Sequence, residues 1–280
     1  MARRLRFPQA AVATPHYLAT SAGLGALARG GNAFDAVLAA NLALGVVAPY
    51  FCGYGGDVFA IVWDGSLQGY LGSGRSAAAA SLADAGEGFG GRLPPFGGAV
   101  VTVPGGVAGW FDLLERFGTR SFGDLAGSAI GLARDGFEIT PQAAVAFDES
   151  RSFYRGFDAW NAAYGSVGAG DVLRQPAMAR TIEAVAADGP EAYYRGPIAD
   201  AIAQAVQSAG GVLTAADLAT HAGEWTTPLS ATYRDAEVLT TRVKRVDVSK
   251  AIRDLDHETT VSLEEGVRRT VEWLRDAYRL

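Results

Sequence analysis

Cysteine occurs once in the 280 residues, at Cys52, so no disulfide can form within the chain. Lysine is missing from the first 241 residues and appears only as Lys244 and Lys250. Acidic residues outnumber basic ones, 30 to 24, and no basic stripe stands out, which argues against a nucleic-acid partner. The three histidines, His16, His221 and His257, are isolated, and the spacings His-x-His, His-Glu-x-x-His and Cys-x-x-Cys are absent. A metal site has no support in that pattern, and no cofactor is expected. No apolar run approaches the ~20 residues of a membrane-spanning helix. The first residues are basic, and Pro8, Gln9, Pro15 and His16 then break the apolar stretch that a secretory signal needs. These absences set the expectation of a soluble, cytoplasmic chain with no membrane partner.

Glycine is plentiful, with 36 residues, and 49% of the chain is apolar, enough for a sizeable core in one large domain or two small ones. The stretch "YFCGYGGDVFAIVWDG", residues 50–65, places Gly53, Gly55 and Gly56 just before an apolar run. A phosphate-binding loop needs Lys-Ser/Thr after its last glycine; here Asp57 follows, and an acid repels phosphate. A dinucleotide fingerprint needs its strand before the glycines, whereas here the strand pattern follows them. The stretch therefore reads as a tight turn where backbones pass closely. No Gly-x-Ser-x-Gly elbow exists, and Ser73 in "GSGRS" lacks the trailing glycine spacing. Thr220, before His221, falls in a short helical pattern begun at Thr214 and is not read as a nucleophile. Arg75, in "YLGSGRSAAAA", follows a predicted strand and sits among small residues. A lone arginine is usually a surface charge; one held at a strand end can also grip a carboxylate with two parallel hydrogen bonds.

The coarse pattern mixes helices and strands. Asn32 and Asp35 open a helix that ends before Pro49, and its alanines and leucines run nearly all round, which predicts burial. "VFAIVW" reads as a buried strand, and Asp64-Gly65-Ser66 turns it back into "LQGYLG" as a hairpin. A further strand is expected from Gly98, after a loop over residues 86–98. Ser121 with Asp124, Pro197, and Thr214 with Asp217 each open a helix. There is no strict βαβ alternation, so α+β or a layered α/β sandwich fits better than a doubly wound sheet.

The composition breaks near Thr241. Residues 1–241 hold 35 of the 36 glycines and all 11 prolines; in 242–280, 17 of 39 residues are charged. Two regions are therefore expected, 1–241 and a charged helical tail over 242–280. Within the tail, Ser262 with Glu265 can cap a helix whose apolar stripe is Leu263, Val267, Val271, Leu274 and Tyr278.

Taken in order, "GGNAFDAVLAANLALGVVAP", the glycine turn, "GRSAAAA", "VTVPGGVAGWFDLLERFGT", "AIGLARDGFEIT", "DGPEAYYRGPIADAI", "GGVLTAADLA" and "PLSATYRDAEV" resemble the gamma-glutamyltransferase (gamma-glutamyltranspeptidase) family over residues 12–239. The resemblance implies the large-subunit part of an αββα N-terminal nucleophile hydrolase sandwich, incomplete on its own. It implies an enzyme that hydrolyses or transfers gamma-glutamyl groups, as in glutathione breakdown, with Arg75 holding the alpha-carboxylate. Around Arg75 the family usually carries Glu and then Ala-Pro, where Ser76 and Ala77 to Ala80 stand here; Asp57 replaces a further glycine. The family's nucleophile is a threonine freed by self-cleavage in a Thr-Thr-His context, with its own amine as base. These 280 residues contain no Thr-Thr-His, so no catalytic residue is assigned within them. The partners implied are a gamma-glutamyl small molecule or peptide, and a separate small-subunit chain or self-association. A non-catalytic assembly protein and a related amide hydrolase with another acyl substrate, such as an acyl-antibiotic or oxamate, are the alternatives. The segment 247–278 resembles instead the C-terminus of NAD-dependent sugar epimerases and dehydratases, without their cofactor site.

Overall fold

The computed structural model describes residues 10–81, 93–233 and 236–240. The chain divides into two units, Met1–Arg242 and Val243–Leu280. The expected tail helix and most of the loop over 86–98 lie outside the described residues.

Helices α1 (Tyr17–Ala28) and α2 (Ala33–Val47) lead into strands β1 (Val58–Trp63) and β2 (Leu67–Gly72). There follow α3 (Gly106–Phe117), α4 (Phe122–Asp135), β3 (Phe137–Glu138), α5 (Pro141–Tyr154), α6 (Asp158–Tyr164), β4 (Val172–Leu173) and α7 (Pro176–Asp188). The described part closes with α8 (Glu191–Tyr194), α9 (Pro197–Ser208), α10 (Ala215–Ala219), β5 (Glu224–Thr226), β6 (Leu229–Tyr233) and β7 (Ala236–Thr240). Among them β1, β2 and β5 form an antiparallel sheet in the order β1-β2-β5, while β3-β4 and β6-β7 pair separately.

Helix α2 is the centre of the core. Asn32 caps it, as the sequence predicts, by accepting from the Phe34 and Asp35 amides, and the Asp35 carboxylate accepts in turn from the Asn32 amide, which completes a reciprocal box. Ten of its residues are buried, which is why its pattern is apolar nearly all round. It packs against α1 and α4, and α4 against α7, so Leu42, Val46 and Val47 meet Leu125, Ile182 and Val185 in one cluster. Helix α1 has no apolar stripe in sequence to announce it. His16 caps it by accepting from the Leu18 amide at 3.3 Å, and burial lowers the pKa of that imidazole, keeping it neutral.

Two expectations are corrected. No strand begins at Gly98: residues 98–100 make a single 3-10 turn, and 101–105 have no ladder partner among the described residues. Their backbone groups are used instead on neighbouring loops, as Val103 N donates to Arg75 O at 2.9 Å. Strand β1 is also not buried on both faces. Phe59, Ile61 and Trp63 are 53%, 45% and 72% exposed at alternate positions, with Val62 buried between them. A short apolar run does not by itself distinguish a two-sided from a one-sided strand.

Candidate functional site

Three backbone segments meet at the C-terminal end of β2. The glycine turn closes with Gly56 N donating to Gly53 O at 3.2 Å. Gly56 O then accepts from Gly105 N at 3.0 Å and Gly106 N at 2.8 Å, so a carbonyl occupies the first turn of α3. The same turn ends in Asp57, whose Oδ1 accepts from Gly74 N at 3.3 Å. One residue on, Arg75 O accepts from Val103 N. Past the arginine, Ala78 N donates to Asp217 Oδ1 at 2.8 Å, while the other oxygen of Asp217 caps α10 through the Thr214 amide and hydroxyl. The Thr214 hydroxyl first, then the Ala78 amide, hold that carboxyl below its ordinary pKa.

The close approach read into the glycine turn is real, but the crowded atoms belong to other glycines. A Cβ on Gly53 or Gly55 would meet nothing within 4 Å. A Cβ on Gly74 would lie 1.4 Å from Val103 O, and one on Gly105 would lie 2.1 Å from Gly72 O. The segments touch backbone to backbone at Gly74 and Gly105, where any side chain overlaps a carbonyl.

Two buried tyrosines of α8 brace this junction. Tyr193 donates to Tyr54 O at 2.7 Å, on the glycine turn. Tyr194 donates to Pro104 O at 2.7 Å and accepts from Ala108 N at 3.0 Å. Below them Tyr70 is wholly buried and donates to the Asp112 carboxylate on α3. Burial, and then that acceptor, push the Tyr70 phenol far above its ordinary pKa.

Arg75 itself is exposed, and its guanidinium has no ion-pair partner among the described residues. Its backbone is fixed on both sides while its fork faces solvent, an arrangement able to receive a carboxylate in two parallel hydrogen bonds. Thr220 donates into the end of α10, to Ala216 O and Asp217 O, and His221 stacks on Tyr194 at 5.4 Å; neither is placed as a nucleophile or base. Cys52 is half-buried and burial raises its thiol pKa, so it is no thiolate at neutral pH. No group of three metal-ligating side chains occurs among the described residues. No helix among them is long and apolar enough to cross a membrane. An open apolar cavity of about 340 Å³ lies elsewhere, between residues 10–15 and the Val37 face of α2, and no titratable group lines it.

A sequence model of the family described as gamma-glutamyltranspeptidase matches residues 19–278. The chain belongs to the gamma-glutamyltranspeptidase family. The match runs across the compositional break near Thr241. Among relatives, the chain is 32% identical over 235 residues to a glutathione hydrolase-like proenzyme of Bacillus subtilis, covering 81% of this chain and 44% of that protein. It is 31% identical over 300 residues to an oxamate amidohydrolase proenzyme of Klebsiella pneumoniae, covering 94% of this chain and 54% of the relative. The chain thus spans about half the length of the curated relatives it matches. Among solved structures, Helicobacter pylori gamma-glutamyltranspeptidase superposes with a TM-score of 0.79 at 25% identity, covering 90% of this chain and 74% of that one. A cephalosporin acylase from Bacillus halodurans superposes at 0.73 with 33% identity, covering 79% and 44%.

With these neighbours the mixed helix and sheet architecture is the α+β fold of the N-terminal nucleophile hydrolases of the gamma-glutamyltranspeptidase family. The residue pattern marks Arg75 and the glycine turn in this family member but not Tyr193, Tyr194 or Asp217. The capping pair Thr214-Asp217 was legible; that Asp217 also reaches Ala78, 139 positions away, was not. The tyrosines had one local signal, adjacent aromatics after Gly-Pro in "DGPEAYYRG", which does not say what their hydroxyls meet.

Proposed function

We propose that this chain carries the carboxylate-gripping part of an enzyme that hydrolyses or transfers gamma-glutamyl groups, with Arg75 holding the alpha-carboxylate. The observation that carries the reading is Arg75 itself: an exposed guanidinium without an ion-pair partner among the described residues, on a backbone fixed by the Val103 amide. Membership of the family supports the reaction class, and the names glutathione hydrolase and gamma-glutamyltranspeptidase among the relatives support the substrate class. The reaction would be attack by a threonine hydroxyl, an acyl-enzyme, then transfer to water or an amine. These 280 residues contain no Thr-Thr-His, so the chain alone should not turn over a gamma-glutamyl anilide. It should still bind L-glutamate weakly, with a Kd on the order of millimolar, and Arg75→Ala should lower that affinity at least about tenfold. An NMR titration of both chains decides it: equal binding, or none by the wild type, sinks the clamp. A different acyl group on the same scaffold is the second reading, favoured by the relatives named oxamate amidohydrolase, acylase and cephalosporin acylase.

The partner is a separate small-subunit chain or, without one, a second copy. Its support is β1, which ends the order β1-β2-β5 and turns Phe59, Ile61 and Trp63 outward. The chain alone should self-associate at tens of micromolar or so through this apolar face. Replacing Ile61 and Trp63 by lysine should return it to a monomer in sedimentation velocity. A wild type that sediments as a monomer at that concentration would count against the surface. The regions 1–241 and 242–280 stand as separate in this reading on the change in glycine, proline and charge usage. A cytoplasmic location goes with it, supported by the single cysteine, and cell fractionation tests it.

A further inference from the structure

An arginine grips a carboxylate through two parallel hydrogen bonds only when the backbone that carries it is held in place, because the fork has one useful orientation. Arg75 lies beyond the last ladder pair of β2, so the sheet does not fix it. Its carbonyl is held by the Val103 amide at 2.9 Å. Val103 belongs to the segment 101–105, which has no ladder partner among the described residues. Gly105 N ties the far end of that segment to Gly56 O at 3.0 Å, and next to Val103 itself the Pro104 carbonyl accepts the Tyr194 hydroxyl at 2.7 Å. The same hydroxyl accepts the Ala108 amide at 3.0 Å, so one oxygen ties the segment to the first turn of α3. Tyr194 is 6% exposed and its ring is stacked on His221. Burial, the largest influence, raises its phenol pKa, so it remains a donor at neutral pH.

The geometry points to Tyr194 as a positioning residue for Arg75, acting through Pro104 and Val103. This rests on the reading of Arg75 as a carboxylate clamp. Tyr194 touches no substrate in this role; it sets the direction of the guanidinium. Tyr193 is the matched control. It is an equally buried phenol of the same helix, but its hydroxyl bonds Tyr54 O on the glycine turn, not the segment behind Arg75.

The test titrates L-glutamate into the full chain, its variants confirmed folded by near-UV circular dichroism. Tyr194→Phe keeps the ring and its stack and should lower the affinity about tenfold, the scale of one buried hydrogen bond. Tyr193→Phe should lower thermal stability comparably and leave the affinity within about twofold. In an Arg75→Lys background the loss from Tyr194→Phe should shrink below about twofold, because an ammonium is a point charge with little directional demand. An equal loss in both backgrounds, or an equal loss from Tyr193→Phe, overturns the inference and leaves the clamp standing. Should Tyr194→Phe not fold, amide exchange in the wild type decides: coupling between the clamp and the segment requires glutamate to slow exchange at Val103. Unchanged exchange there overturns the positioning role. A wild type that binds no glutamate removes the clamp and this inference with it.

Discussion

A Gly74→Ala chain should melt about 10 °C below the wild type, whereas Gly55→Ala should melt within about 2 °C of it. Both glycines flank the same junction, both lie in glycine-rich loops, and neither has a positive φ. They differ in what a methyl group would meet. At Gly74 it would sit 1.4 Å from the Val103 carbonyl oxygen, which is backbone and cannot rotate aside. The two segments must separate, breaking the bond from Val103 N to Arg75 O, and overpacking of this kind costs about 3 kcal/mol or more. At Gly55 nothing lies within 4 Å, so the methyl group enters open space and the reduced freedom of the unfolded chain offsets any loss. Differential scanning calorimetry of the pair is the measurement. Equal melting points would mean that the segments around Arg75 are not in backbone contact.

Asp35→Ala should destabilise the chain by about 3 kcal/mol at pH 7. Asp35 is completely buried at the start of α2, and both carboxylate oxygens are fully used. Oδ1 accepts from the amides of Thr119 at 2.9 Å and Arg120 at 3.2 Å. Oδ2 accepts from the Asn32 amide at 2.7 Å and the Thr119 hydroxyl at 2.5 Å. One side chain thus caps α2 and ties it to the turn between α3 and α4; removing it orphans three amides. Burial pushes the carboxyl pKa up, but the Thr119 hydroxyl and then the Asn32, Thr119 and Arg120 amides outweigh it, leaving the folded value below 3.8. A depressed folded pKa adds stability that is complete above the unfolded value and is lost as pH falls through 3.8 toward the folded one. The gap between wild type and Asp35→Asn in urea midpoint should therefore be widest at neutral pH and narrow below about pH 4. A gap that stays constant or widens on acidification would contradict this account of the site.

The parts of the fold that were legible in sequence are those governed by neighbours a few positions apart. The Asn32-Asp35, Ser121-Asp124 and Thr214-Asp217 boxes open α2, α4 and α10 as their spacing predicts. The Asp64-Gly65-Ser66 turn sets the β1-β2 register, pairing Trp63 with Leu67. The ordered motifs placed the chain in its family, and the family match covers most of its length. Other features depend on what lies across the fold. Gly98–Val100 has strand-forming neighbours yet turns as a 3-10 element, with Gly98 N donating to Ala209 O at the end of α9. Helix α1 presents no apolar stripe, but α2 covers it, and a Cβ on Gly23 would lie 2.9 Å from Ala36 O.

Helix starts, the hairpin, the family and the one arginine worth testing were thus already written in the order of the residues, because capping, turn chemistry and motif order are short-range or cumulative signals. Which glycines are indispensable, which face of β1 is bare, and that Tyr194 bonds Pro104 and Asp217 bonds Ala78 emerged only once the chain was folded. Those are contacts between segments 30 to 140 residues apart, as with Ala78 and Asp217 at a separation of 139. No periodicity within either segment encodes what the other will meet; packing alone settles it.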